Sequence, residues 1–307
     1  MNFLGYHEQQ FEKGEDAFPT LMALDNQLTW LGVYDGLGGS GSKLYTIIEK
    51  NQTTKIQTGA YLASRKIKEA VECFLEIHQN IFNIEDFCLY LKEVLHVFLA
   101  QFKEKSSTIK SKLLKSLPTT LCLVSWENIN EQKIALQTFN AGDSRVYIFT
   151  PQKCQILTRD DLEDNLDAFE NLRMEANISN CISADIDFFI TKKNYTIEKP
   201  ALILVATDGV FHYFETPMHF EYFFLQTLIN TKSDEKSWES ILLATLIKYS
   251  SDDISFVISA VGFKDFFHLQ NSFYSRYQFL YENFIEPLEK KQTTAENLWH
   301  KYQEINH

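Results

Sequence analysis

The sequence is poor in the residues that staple, stiffen or loosen a chain. Its five cysteines (Cys73, Cys88, Cys122, Cys154, Cys181) are an odd number, widely spaced and without a Cys-x-x-Cys pair. That argues against a disulfide framework or a zinc ribbon, and reads as small apolar filler in a reduced, cytoplasmic protein. Six prolines and eleven glycines in 307 residues exclude a collagen-like or proline-rich linker protein. No apolar run reaches the ~18 residues of a membrane-spanning helix, so no membrane association is expected. The opening stretch, Met1 to His7, has no basic region followed by an apolar core, so it does not read as a secretory signal. Basic residues are also scarce: 29 against 41 acidic ones leave a net charge of −12. Such a chain is a poor partner for nucleic acid, and an anionic substrate would need a local cation, either a side chain or a metal ion.

What is present is the balance of a globular protein, 45% hydrophobic and 23% charged, which rules out disorder over most of the length. Short apolar runs at 21–23 and 28–34 flank Asp25-Asn26-Gln27 and predict a hairpin. Three- and four-residue apolar steps predict helices over 59–78 and 84–102, and again over 220–229 and 238–249. Strands are expected at 121–126, 133–139 and 146–149. The continuous run 201–206 suits a strand covered on both faces, and 254–261 is a last, β-branched strand. Strands, helices, strands, helices and a strand in that order predict an α+β layered fold rather than a βαβ repeat. Residues 159–195 read as polar and irregular, a candidate flap. After Gly262 the composition shifts to aromatic and polar helix formers, giving an expected division into residues 1–262 and a helical extension over 263–307. The aromatic residues of that extension are expected to pack on the rest of the chain or on a partner.

Four aspartates sit at the ends of expected core strands. Asp35 follows Trp30-Leu31-Gly32-Val33-Tyr34, Asp143 follows Asn140-Ala141-Gly142, Asp208 follows the run 202–207, and Asp252 precedes Ile254. Three have glycine beside them. A carboxylate next to a buried strand is costly unless paired or bound to a cation, and several together raise one another's pKa. Divalent cations remove that penalty, and an all-oxygen donor set favours Mg²⁺, Mn²⁺ or Ca²⁺ over zinc. Taken singly, each Asp-Gly or Asp-Asp is equally good turn chemistry.

Together these residues resemble the metal-dependent protein phosphatases of the 2C (PPM) type. The resemblance rests on six blocks in order: Glu15-Asp16, Asp35-Gly36-Leu37-Gly38-Gly39, Thr119-Thr120-Leu121, Gly142-Asp143-Ser144-Arg145, Thr207-Asp208-Gly209 and Asp252-Asp253-Ile254-Ser255. It covers about residues 1–262. It implies a four-layer α-β-β-α sandwich of two antiparallel sheets flanked by helices, and hydrolysis of phosphoserine or phosphothreonine by a hydroxide bridging a dinuclear Mg²⁺ or Mn²⁺ centre. Carried over position by position, it implies catalytic roles for Asp35, Asp208 and Asp252. It implies metal ligation by Glu15, Asp16, Asp35, Gly36, Asp208 and Asp252, with Asp143 on a possible third ion. The implied partner is a phosphoprotein, a kinase or a kinase target.

Three positions depart from that pattern. Phe11 stands where the family has a phosphate-clamping arginine. Lys13, two residues nearer the Glu-Asp pair, is expected to donate to the substrate phosphate, although a lysine is not equivalent to an arginine fork. His212 stands where relatives often have a third-metal aspartate, and Asp253 where they have asparagine. The missing arginine motivates an alternative: a weak or inactive module that binds phosphoproteins. The segment Gly38-Gly39-Ser40-Gly41-Ser42-Lys43 lacks the spacing of a nucleotide-binding P-loop.

Overall fold

The structure, a computed structural model, describes residues 1–306 except 25–27, 49–52, 79–81, 103–113, 164–166, 174–176 and 233. The tip of the first expected hairpin, Asp25-Asn26-Gln27, therefore lies outside the described residues.

Two five-stranded antiparallel sheets form the centre. The first orders β1 (Asn2–His7), β12 (Ile254–Val261), β11 (Ala201–Ala206), β8 (Arg145–Phe149) and β9 (Cys154–Ile156) side by side. The second orders β10 (Thr191–Glu198), β7 (Lys133–Ala141), β6 (Leu121–Asn128), β3 (Thr29–Val33) and β2 (Thr20–Ala23). A two-stranded ribbon of β4 (Leu44–Ile48) and β5 (Thr54–Thr58) stands apart from both.

The two-residue period of each strand sorts its side chains between layers. In β11, Ile203 and Val205 face the other sheet, where with Val146 and Val257 of their own sheet they cluster with Leu31, Val33, Cys122 and Val124. The alternate residues Leu202, Leu204 and Ala206 face a helical layer. In β3 and β6, Trp30, Leu121 and Leu123 point the opposite way, onto α1 (Gly59–Ile77) and α2 (Ile84–Leu99). Helices α4 (Pro217–Asn230), α5 (Glu235–Tyr249) and α6 (Phe266–Leu280) cover the first sheet, preceded by the short α3 (Asp208–Phe211). The result is the expected helix–sheet–sheet–helix sandwich, an α+β fold. The helices begin where cap chemistry allows: Thr58, Asn83, Asp234 and Asp265 each accept a backbone N–H with their side chains.

After α6 come a π-helical turn (Tyr281–Ile285), α7 (Glu286–Glu289) and α8 (Ala295–Asn306). Leu269, Phe273, Leu280, Phe284 and Leu298 are buried in the same cluster as Phe149, Leu202 and Phe256. These helices therefore complete the core over the first sheet. Among the described residues, no helix is long and apolar enough to cross a membrane.

Five strands were not expected from the sequence: β1, the β4–β5 ribbon, β9 and β10. The segment 159–195 needs a correction. Residues 191–195 belong to β10, which pairs along its length with β7. The stretch before it is irregular but anchored, with Thr119 bridged to Ile182 and Ala184 N donating to Ser116 O. The five cysteines are free thiols, three of them buried.

Candidate active site

Strand register brings the aspartates to one end of the sandwich. Ala206 of β11 pairs with Arg145 of β8 on one side and with Phe256 of β12 on the other. Asp208, Asp143 and Asp252 thus leave the first sheet at the same edge. In the second sheet Val33 pairs with Cys122, and Leu121 with Ala141, so Asp35 and Thr120 sit at the matching edge.

The turn after β3 is locked by the two threonines. Thr120 N donates to Asp35 O at 2.7 Å, Thr119 Oγ1 donates to the same carbonyl at 2.8 Å, and Asp35 N donates to Thr120 Oγ1 at 3.1 Å. Gly36 and Gly38 then pass against Glu15. A Cβ on Gly36 would lie 2.5 Å from Ala60 O and 2.6 Å from Glu15 O, and one on Gly38 would lie 1.8 Å from Glu15 Oε2. Only glycine permits this approach of the two acidic segments.

Glu15 and Asp16 are held from three directions. Thr58 donates to Glu15 Oε1 at 2.7 Å, and Thr207 donates to the buried Asp16 Oδ2 at 2.8 Å. The third anchor is Asp253, whose carboxylate accepts the backbone N–H groups of Gln9, Glu15 and Asp16. Asp253 is itself buried.

Asp35, Asp208, Asp252, Asp253, Glu15, Gly36 and Glu163 line a cleft of about 650 Å³. Its electrostatics are those of crowded acids. Burial first, then Asp16, Asp208, Asp143 and Asp252, pushes the Asp35 carboxyl well above the usual range. Burial followed by Asp253 does the same to Asp16, and burial followed by Asp208 to Asp143. Asp208 is raised by burial, against lowering hydrogen bonds from the Gly209 backbone and from Asp35. Asp252 is pushed up to about 6, by burial and then by Asp208. Burial also raises Glu15.

Other site residues fall elsewhere. Asp16 and Asp143 do not line the cleft; Asp143 keeps its Oδ1 buried without a hydrogen-bond partner. Lys13, expected to meet a substrate phosphate, is also not among the lining residues, and Phe11 is 87% exposed. Arg145 is committed to structure. It holds Asp160 through Nε (3.0 Å) and Nη2 (2.6 Å) and stacks 4.3 Å over Phe211. His212 donates its backbone N–H to Asp208 O at 2.8 Å.

Two charged lining residues were missed in the sequence. Glu163 belongs to a visible acidic run, Asp160-Asp161-Leu162-Glu163, that could have been flagged. Lys115 carries no local signal; it reaches the cleft only because residues 116 and 119 are bonded to the segment 182–185.

Whether these residues suit metal ions is a question of donors and spacing. Among the described residues, no group of three or more His, Cys, Asp or Glu side chains is placed closely enough to hold a metal ion. The donors are nevertheless all oxygen, mutually repelling, and include one buried, unpartnered carboxylate oxygen. Hard dications such as Mg²⁺ keep several waters and need only one or two carboxylates each. An open, oxygen-lined cluster of acids fits that mode of binding.

No protein-family model and no curated protein matches the chain. Solved structures do. The serine/threonine phosphatase Stp1 from Staphylococcus aureus superposes with a TM-score of 0.58 at 15% identity, over 85% of this chain and 94% of that one. The Mycobacterium tuberculosis serine/threonine phosphatase PstP/Ppp gives 0.57 at 14%, over 85% and 97%. A C. elegans sex determining protein gives 0.61 at 16%, over 89% and 67%. At such identities the likeness is one of architecture: the chain has the fold seen in these serine/threonine phosphatases.

Proposed function

We propose that the chain is a metal-dependent phosphatase acting on phosphoserine or phosphothreonine in a protein, its target a kinase or a kinase substrate. The observation that carries this reading is the convergence of Asp35, Asp208 and Asp252 on the wall of one acidic cleft, in a phosphatase-like fold. In this reading Asp35, Asp208 and Asp252 hold Mg²⁺ or Mn²⁺, with Gly36, Glu15 and Asp16 supporting a second ion and Asp143 a possible third. When bound, the ions supply positive charge against the phosphoryl oxygens and make a water acidic enough to attack near neutral pH. The protein's own task is to hold the acids in place. Thr119 and Thr120 fix Asp35, Thr207 fixes Asp16, and Asp253 fixes the backbone of both Glu15 and Asp16. Overall, a water oxygen bonds to phosphorus, the seryl or threonyl oxygen leaves, and a proton returns to it.

A covalent phosphoenzyme is not needed, and the thiols are poorly suited to one. Burial pushes the Cys154 and Cys181 thiols up, away from thiolate. The test is manganese-stimulated phosphate release from p-nitrophenyl phosphate and from phosphoserine and phosphothreonine peptides. Activity lost in Asp35→Asn and in Asp208→Asn supports the proposal. Manganese binding without turnover of any substrate favours the second reading, a phosphoprotein-binding module, for which the exposed Phe11 at the arginine position speaks.

A further inference from the structure

We infer that Lys115 receives the phosphate group of the substrate. The inference rests on the phosphatase reading and adds to it a residue that determines affinity. Lys115 shares the cleft with Asp35, Asp208 and Asp252. An ammonium among so many carboxylates would ordinarily close an ion pair with one of them. Lys115 does not. Among the described residues its side chain makes one polar contact, Nζ donating to Cys181 Sγ at 3.3 Å. A thiol is a weak acceptor, and burial keeps this one in its neutral form, so it orients the ammonium without neutralising it.

The lysine is also fixed in place from the backbone. Lys115 N donates to Ser40 O at 2.9 Å, and Ser40 lies on the same cleft, beyond the Asp35 turn. Ser116 N donates to Asp185 Oδ1 at 2.9 Å, and Ala184 N to Ser116 O at 2.8 Å. A cation so anchored, facing an acidic cleft and lacking a counter-ion among the described residues, calls for an anionic oxygen from outside. A phosphate monoester dianion supplies one, while its other oxygens remain toward the acids and the cations that those acids would hold. Lysine serves here as a point charge, so the contact is monodentate and strengthens binding more than it shapes the reaction.

The test is a split between KM and kcat. With saturating Mn²⁺, Lys115→Met is expected to raise KM for a phosphothreonine peptide about 10- to 100-fold, the worth of one charge-assisted hydrogen bond. kcat should stay within about threefold of wild type. Competitive inhibition by inorganic phosphate should weaken in the same proportion as KM rises, and Lys115→Arg should recover most of both. Unchanged KM and unchanged phosphate inhibition in Lys115→Met would overturn the assignment, as would a kcat loss that arginine does not rescue. If the wild type turns over no substrate, the phosphatase reading fails on its own. Calorimetric titration of the Mn²⁺-loaded protein with inorganic phosphate then decides the role of Lys115. Weaker binding by Lys115→Met supports it, and equal binding, or none by the wild type, sinks it.

Discussion

Asp35 is one of the side chains on which the site costs the fold stability. Its carboxyl is raised by burial and by four neighbouring aspartates, so at neutral pH the empty site is a destabilising feature. Asp35→Asn should therefore abolish manganese-dependent phosphate release while raising the melting temperature of the metal-free protein at pH 7.5. A gain on the order of 1 kcal/mol would appear as roughly 2–4 °C in a scanning calorimeter for a chain of this size. The pH dependence follows with a definite sign. Asp252 titrates at about 6 when folded and near its ordinary acidic value when unfolded. Between those values the folded state binds more protons, so stability of the metal-free protein falls as pH rises through that window. Thermal melts from pH 4.5 to 7.5 in chelator should show this decline. Added Mn²⁺ should restore most of the loss at the upper end.

The loop between β1 and β2 depends on one carboxylate for its course. Asp253 accepts N–H groups from Gln9, Glu15 and Asp16, so Asp253→Ala leaves the buried Asp16 donor unsatisfied, at about 1–3 kcal/mol, and the part-buried donors of Gln9 and Glu15 without their acceptor. Asp253→Asn keeps one acceptor oxygen and should be the milder change. Urea denaturation should rank the two, and manganese-dependent activity should fall in the same order. Legibility in the sequence follows the same physics. The strands at 121–126, 133–139, 201–206 and 254–261 were readable because burial enforces an apolar pattern, and the aspartates because each ends such a run. β1 was not readable, since Asn2–His7 is short and mixed, and its strand character comes from pairing with β12. The β4–β5 ribbon has one solvent-facing side on which Leu44, Ile48 and Ile56 are exposed, so the inside-out pattern is lost. Lys115 is a tertiary product: nothing within a few residues of it foretells an acidic cleft.

The helices after β12 and the rest of the molecule stand or fall together. Arg276 of α6 holds Glu221 of α4 through two hydrogen bonds of 2.8 Å, with side chains only 2% and 1% exposed. Tyr302 of α8 donates to the same carboxylate, and Asn306 accepts from both Arg276 and Cys154. Removing one partner, as in Arg276→Met, should cost about 3–5 kcal/mol in denaturant unfolding, and Glu221→Leu combined with it should recover part of that loss. Truncation after Gly262 should give aggregated protein in size-exclusion chromatography, because it removes Phe273 and Phe284 and uncovers the apolar cluster around Phe149, Leu202 and Phe256 in which they are buried. The central claim, that acids distant in the chain converge to hold dications, is tested most directly by calorimetric titration of the intact protein with Mn²⁺ at pH 6.5 in buffers of different ionisation enthalpy. The account predicts binding coupled to proton release, as Asp35 and Asp252 give up their protons, and loss of both in Asp35→Asn. No binding by the wild type, or binding with no proton release that survives in Asp35→Asn, would contradict it.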